Sequence, residues 1–246
     1  LIGLGAYFFM QSSSNNTTVT TEEQGTTIST DTPKGNTRTG KTPAADQHKG
    51  GTMVAIGKSV EGRDINAYYY GDGATKILFV GGMHGGYEWN TTLVARELTD
   101  YLKANSNIIP SNVQVAVIPV LNPDGLNKTV GTADRFTSAD VPSSKETQIS
   151  GRFNANNIDL NRNFDCDWKP TGTWQNKTVN GGTAVFSEPE TLAMKNFVET
   201  YKPNAVVVWY SAAGGVFASS CHNGVLPETT TITNAGSVAD VNVTLG

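Results

Sequence analysis

Residues 76–104 read KILFVGGMHGGYEWNTTLVARELTDYLKA, and this stretch decides the fold class. Its first six residues form a short, continuous apolar run, which is typical of a strand buried on both faces of a sheet. Apolar residues then recur with helical spacing from an N-cap at Asn90 to about Ala104. A buried strand that passes through glycines into an amphipathic helix predicts an α/β domain.

Similar elements lie on both sides of this stretch. Ser187 and Glu190 have the spacing of a capping box, which predicts the start of a helix. Residues 126–183 show few periodic signals, so we expect a long loop of the kind that usually carries function. This alternation predicts an α/β fold with a mixed, largely parallel sheet between helices, and ligands bound beyond the carboxyl ends of its strands. The further predicted elements are strands at 64–70, 113–120 and 205–210 and a helix at 187–201.

The composition excludes several functional classes. The chain has 246 residues and a formal net charge of -4, so a basic nucleic-acid-binding face has no support and we expect no nucleic-acid partner. Two cysteines are too few for a disulfide-dense scaffold or a four-thiolate zinc site. Three histidines leave little room for a histidine-rich metal centre.

The first 52 residues differ in character from the rest. Residues 1–10, LIGLGAYFFM, are too few to span a bilayer, which needs about 20 apolar residues. We interpret them as the remnant of a signal peptide or membrane anchor, with a buried strand as the alternative. Residues 11–52 form a Ser/Thr-rich segment predicted to be a disordered linker. The folded domain is expected to cover 53–246, in a protein that is secreted or tethered to the cell surface.

The glycine-rich turn after the first quoted strand carries one candidate for chemistry. His84 and Glu88 leave the strand together, and imidazole and carboxylate are good zinc ligands. The residues alone do not separate a metal site from a plain hydrogen-bonding or capping arrangement. A catalytic zinc normally takes three protein ligands and a water.

Residues 151–165, GRFNANNIDLNRNFD, carry the second candidate. Arg152 and Arg162 lie ten residues apart in an Asn-rich segment, and guanidinium groups bind carboxylates and oxyanions through paired hydrogen bonds. A surface loop tied together by Asn side-chain turns is the alternative.

Together these stretches resemble the zinc metallocarboxypeptidases of the M14 family. His84 and Glu88 are similar to that family's first two zinc ligands. The family fold, an eight-stranded mixed sheet between helices, agrees with the predicted elements. The other matching stretches are residues 56–63 (IGKSVEGR), 122–125 (NPDG) and 159–164 (DLNRNF).

The resemblance implies removal of the C-terminal residue of a peptide by a water activated on one Zn²⁺. It implies that Arg152 stabilises the oxyanion. It also implies that Asn161 and Arg162 hold the terminal carboxylate of the substrate. A peptide or a peptidoglycan stem is therefore the expected partner.

Three departures from the family pattern bear on activity. Three residues rather than two separate His84 from Glu88, and Tyr210 occupies the position of the third zinc ligand. The family's general-base glutamate has no counterpart up to Gly246, so the C-terminal part of the domain is expected to be missing and this chain to be inactive. The alternative function is an inactive relative that binds the C-terminal carboxylates of peptides or peptidoglycan stems.

The two cysteines flank the predicted cleft. Cys166 follows the DLNRNF segment and Cys221 follows the strand that ends near Tyr210. A disulfide between them suits an extracytoplasmic protein, with two buried free thiols as the alternative.

Overall fold

A computed structural model describes residues 4–9, 51–211 and 216–218, with side chains for 51–211. The described strands are β1 (Leu4–Phe9), β2 (Thr52–Lys58), β3 (Asp64–Tyr70), β4 (Thr75–Val80), β5 (Val113–Ile118), β6 (Thr171–Trp174), β7 (Lys177–Asn180), β8 (Ala205–Ser211) and β9 (Val216–Ala218). The helices are α1 (Trp89–Ala104), α2 (Pro123–Val130), α3 (Lys145–Ser150) and α4 (Pro189–Tyr201), with a 3-10 turn at Leu160–Arg162.

Seven of the described strands form one mixed sheet in the order β2-β3-β5-β4-β8-β1-β9. β4 lies at its centre and pairs in parallel with both β5 and β8, while β2, β3 and β1 join antiparallel. β6 and β7 form a separate hairpin. The predicted mixed α/β sheet between helices is confirmed, and the carboxyl ends of β4, β5 and β8 meet at one edge.

Side chains alternate between the two faces of the sheet, and each face has its own core. On the α4 face, Met194 and Phe197 of the helix share a cluster with Leu78 and Val208. On the α1 face, Ala95 and Leu102 of the helix join Tyr70, Val115 and Val117. Helices on both faces explain why the central strands read as continuous apolar runs.

Leu4–Phe9 forms strand β1, which pairs antiparallel with β8. A strand is the alternative that the sequence left open for residues 1–10, and the signal or anchor origin of this segment stays a prediction. In the part of the chain that the structure describes, no helix combines the length and apolar character needed to cross a membrane. Most of the predicted linker at 11–52 lies outside the described residues.

Both predicted helix caps were wrong. α1 begins after Glu88 rather than with a cap at Asn90, because the chain is already turned by hydrogen bonds from Gly82 to the Thr91 hydroxyl and from that hydroxyl to the Glu88 carbonyl. The capping box at the start of α4 does not form, because Glu190 turns inward and accepts from the Val60 N–H.

The long loop expected at 126–183 was also wrong in part. Helix α2 extends into this region as far as Val130, and the Asn122 side chain caps its start by accepting from Gly125 N–H at 2.8 Å. Helix α3 and the β6–β7 hairpin occupy more of the same region. These elements are short, and short elements leave little periodicity for a sequence to show.

Candidate active site

Two of the motifs that support the family resemblance contact each other in the fold. The Asp124 carboxylate of α2 accepts from the Ser59 hydroxyl at 2.6 Å and from Arg63 Nη1 at 2.7 Å, and its second oxygen accepts from Glu61 N–H at 3.0 Å. The buried Asp124 thus joins the β2–β3 turn to the helix that follows β5. Both motifs therefore maintain the scaffold of the site.

The turn between β4 and α1 fits only small residues. Gly85 has a φ of +44°, and a Cβ there would lie 2.7 Å from the Gly151 carbonyl oxygen and 2.8 Å from Leu126 N. Gly86 donates its N–H to the same Gly151 carbonyl at 3.1 Å. These close approaches place His84 and Glu88 next to the segment that carries Arg152.

His84 and Glu88 meet in the interior of the protein. His84 Nδ1 lies 2.9 Å from Glu88 Oε2, and both side chains are almost fully buried. On the other side of the ring, His84 Nε2 lies 3.4 Å from Oδ1 of Asp159, which is fully buried. The ring thus stands between two carboxylates, an arrangement that fixes its orientation.

Asp159 also holds Arg152. Nε and Nη2 of Arg152 donate to Asp159 Oδ2 at 3.2 and 2.8 Å, and Arg152 is only 3% exposed. Burial by itself raises the pKa of the Asp159 carboxyl, but the adjacent His84 ring and Arg152 guanidinium outweigh burial and hold that pKa well below its usual range. The sequence pattern predicts no role for Asp159, although this residue opens the DLNRNF segment.

Aromatic rings cover the Arg152 guanidinium. Its central carbon lies 4.4 Å from the ring centre of Trp174 and 5.5 Å from that of Tyr87, distances at which a cation is attracted to a ring face. Gln175, also at the tip of the β6–β7 hairpin, donates to the Tyr87 hydroxyl at 3.2 Å. The sequence did not predict that Trp174 and Tyr87 contact Arg152, since Trp174 lies in the region expected to be a loop.

Tyr210 lies beside His84. The two ring centres are 5.3 Å apart, and the Tyr210 hydroxyl donates to Asn161 Oδ1 at 3.1 Å. Because Asn161 uses its carbonyl oxygen for Tyr210, the amide donors point away from that contact. β8 brings Tyr210 to this point because it is the parallel neighbour of β4.

Asn161 and Arg162 occupy the 3-10 turn that Asp159 caps through Asn161 N–H at 3.2 Å. Arg162 is half-buried, and its donors reach the carbonyls of Asn161 and Thr173, both at 3.1 Å. The structure therefore brings His84, Glu88, Arg152, Asn161 and Tyr210 together around Asp159, with Arg162 turned toward the β6–β7 hairpin.

The cysteine prediction is not tested. Cys166 lies among the described residues, but Cys221 lies outside them, so the disulfide stays a prediction.

The family model of the M14 zinc carboxypeptidases matches residues 44–231, about three quarters of the chain. The chain belongs to the zinc carboxypeptidase family. It is 26% identical to the human carboxypeptidase N catalytic chain over 189 residues, covering 71% of this chain and 38% of that protein. It is 30% identical to metallocarboxypeptidase A of Arthroderma otae over 183 residues, covering 68% and 41%. The chain thus spans less than half the length of these two curated relatives.

A solved structure of carboxypeptidase A from Helicoverpa armigera has the same fold. The TM-score is 0.51 at 19% sequence identity, and the match covers 77% of this chain and 47% of that one. This likeness confirms the predicted metallocarboxypeptidase-like architecture.

The described residues fit a zinc ion only in part. An imidazole nitrogen and a carboxylate oxygen 2.9 Å apart are two suitable ligands. The neighbouring Tyr210 offers a phenol, which binds zinc well only after losing a proton with a reference pKa of about 10. Within residues 51–211, no group of three or more His, Cys, Asp or Glu side chains is arranged to hold a metal ion. Among residues 51–211, the donor set is thus one ligand short of a typical catalytic zinc site.

Proposed function

We propose that this chain carries the catalytic face of a zinc-dependent metallocarboxypeptidase, which hydrolyses the C-terminal residue of a peptide. The observation that supports the proposal best is the buried set of His84, Glu88, Asp159 and Arg152, which stands at the carboxyl end of β4. Family membership supports the same reaction class.

In this proposal His84 and Glu88 hold the metal and Asp159 keeps the imidazole in place. A bound zinc supplies a Lewis acid for the scissile carbonyl and lowers the pKa of a bound water. Arg152 lies next to the metal ligands with its charge fixed in orientation by Asp159, so it is placed to stabilise an oxyanion. Its aromatic cover keeps water from its faces, which strengthens its electrostatic effect.

Asn161 and Arg162 are proposed to hold the substrate's terminal carboxylate. Asn161 is oriented by the Tyr210 hydroxyl, which leaves its amide N–H groups to donate. To reach the same carboxylate, the Arg162 side chain must break its hydrogen bond to the Thr173 carbonyl. This exchange is favourable because a guanidinium binds a charged carboxylate more strongly than a neutral carbonyl.

The decisive experiment compares the full chain with its Tyr210→His variant. Zinc per chain is measured after dialysis, and hydrolysis is measured on peptides with free or amidated C-termini. We expect the variant to bind zinc more tightly, because an imidazole replaces a phenol. The proposal fails if neither protein binds zinc at micromolar concentration while both are folded by circular dichroism.

A second function is favoured by the Tyr210–Asn161 hydrogen bond. Tyr210 occupies the third-ligand position and at the same time orients a carboxylate-binding amide, which suits a protein that binds peptide C-termini without cleaving them. In this case the parent chain binds a peptide with a free C-terminus in the presence of a chelator, and Arg162→Met weakens that binding. Amidation of the peptide should abolish it.

The location and the substrate source belong to the same proposal. An extracytoplasmic protein, secreted or tethered at its N-terminus and with a Cys166–Cys221 disulfide, suits either a peptide or a peptidoglycan stem as substrate. Thiol titration of the denatured, unreduced chain tests the disulfide: no free thiol supports it, and two free thiols contradict it.

A further inference from the structure

The β6–β7 hairpin lies over the guanidinium that the proposed function assigns to the oxyanion. Trp174, the last residue of β6, has its ring centre 4.4 Å from the central carbon of the Arg152 guanidinium, and the Arg152 side chain is only 3% exposed. A side chain buried to this extent offers a substrate almost no surface. In the arrangement that the structure shows, Arg152 therefore meets a substrate oxygen only if its cover moves.

The base of the hairpin is joined by backbone hydrogen bonds to the segment that carries the site. Asp159 N–H donates to the Asn180 carbonyl at 2.9 Å, and Gly181 N–H donates to the Pro170 carbonyl at the same distance. The hairpin, residues 171–180, is a two-stranded sheet of its own, and one of its residues is buried. A short hairpin with so little buried surface can turn about a fixed base at small cost in free energy.

Side-chain contacts hold the tip of the hairpin against the site. Gln175 donates to the Tyr87 hydroxyl at 3.2 Å, and Arg162 Nη2 donates to the Thr173 carbonyl at 3.1 Å. Arg162 also lies against Gly172, where an added Cβ would be 2.7 Å from Arg162 Cδ. The residue that ties down the hairpin is thus the residue proposed to hold the terminal carboxylate of the substrate.

We propose that the β6–β7 hairpin is a lid, which covers Arg152 in the free protein and opens when the terminal carboxylate of a peptide draws Arg162 away from Thr173. The inference rests on the proposed function, which assigns that carboxylate to Arg162. A guanidinium binds a carboxylate more strongly than a neutral carbonyl, so the peptide competes well for this side chain. Loss of the contact frees the tip, and Trp174 then uncovers the guanidinium. A peptide without a free carboxylate leaves the lid closed.

Fluorine NMR of the full chain follows the lid directly. The chain has four tryptophans, so a sample labelled with 5-fluorotryptophan has a resonance for each, and Trp174→Phe identifies that of Trp174. The probes are N-acetyl tripeptides that end in alanine, phenylalanine, lysine or glutamate, and their C-terminal amides, in EDTA so that none is cleaved. We expect a free-acid peptide that binds to increase the solvent isotope shift of the Trp174 resonance, because the ring becomes exposed. The amides should leave this resonance unchanged.

Peptide affinity, measured by isothermal titration calorimetry, is an independent test of the lid. A closed lid lowers the apparent affinity by the fraction of chains that are open, so Trp174→Ala should bind the free-acid peptides at least about fivefold more tightly than the parent chain. Trp174→Phe is the matched control. It keeps a ring over the guanidinium, so its affinity should stay within about threefold of that of the parent chain.

The results distinguish the lid from the proposed function. If a free-acid peptide binds while the Trp174 solvent isotope shift stays constant, the lid is overturned and the proposed function stands. Equal or weaker binding by a folded Trp174→Ala also overturns the lid, because Trp174 then does not oppose binding. If neither the parent chain nor Trp174→Ala binds any free-acid peptide at millimolar concentration, Arg162 does not hold a carboxylate, and both proposals fail. If Trp174→Ala does not fold, the fluorine spectra of the parent chain decide.

Discussion

Replacing Asp159 with asparagine tests how strongly the candidate active site depends on one buried carboxylate. Asp159 is 0% exposed and its partner Arg152 is 3% exposed, so neither charge has water to replace the lost partner. Removing one member of a buried ion pair costs about 3–5 kcal/mol, because the other charge is left uncompensated. We expect Asp159→Asn to lower the free energy of unfolding by this amount.

The same change at Asp100 is the matched control. Asp100 accepts two hydrogen bonds from Arg135 at 2.7 and 2.5 Å, but the two side chains are 45% and 66% exposed. An exposed pair contributes less than about 1 kcal/mol. Asp100→Asn should therefore have a small effect on stability, although the geometry of the pair is as good.

Urea unfolding at neutral pH, followed by circular dichroism, measures both variants against the parent chain. The midpoint should fall clearly for Asp159→Asn and little for Asp100→Asn, with similar slopes. Equal losses in the two variants would refute the reasoning, because burial would then not decide the energy of the pair. A loss in Asp159→Asn that Arg152→Met partly reverses would identify the unpaired guanidinium as its cause.

Two further predictions concern the scaffold of the site. Gly85→Ala should destabilise the chain by about 2–4 kcal/mol, because the new Cβ would clash with backbone atoms and the residue would keep a left-handed φ. The control, Gly131→Ala, has a left-handed φ of +79° but no atom within 4 Å of the new Cβ, so it should cost only about 1–2 kcal/mol. Thermal melts measure both variants. Burial raises the pKa of Tyr70 to about 12, whereas an unfolded tyrosine ionises near 10. As pH rises, the unfolded chain therefore loses this proton before the folded chain does, so the free energy of unfolding falls between pH 10 and 12. Tyr70→Phe removes the ionisable group and should reduce that fall. If the urea midpoint falls with pH as steeply in the variant as in the parent chain, the prediction is wrong.

The sequence alone determined the central elements of the fold. The predicted strand at 64–70 matches β3, and the apolar runs near Lys76, Val113 and Ala205 match β4, β5 and β8 within a few residues. Each of these runs is apolar because helices cover both faces of the sheet, so the composition of the segment indicates that it is buried. The sequence also shows that His84 and Glu88 follow a buried strand, because they come directly after it in the chain.

The tertiary structure alone decided the partners within the site. No spacing in the sequence indicates that Asp159 lies between His84 and Arg152, or that Trp174 covers the guanidinium. His84 and Trp174 reach Arg152 and Asp159 from other segments of the chain, and the loop that holds Arg152 and Asp159 has no regular period. Local patterns also misplaced both helix caps: the Glu190 carboxylate accepts from the Val60 N–H, and α1 begins after Glu88 rather than at Asn90. A hydrogen-bonding side chain pairs with a donor or acceptor that the fold brings within reach, so its partner depends on the tertiary structure, whereas an apolar residue needs only to be buried.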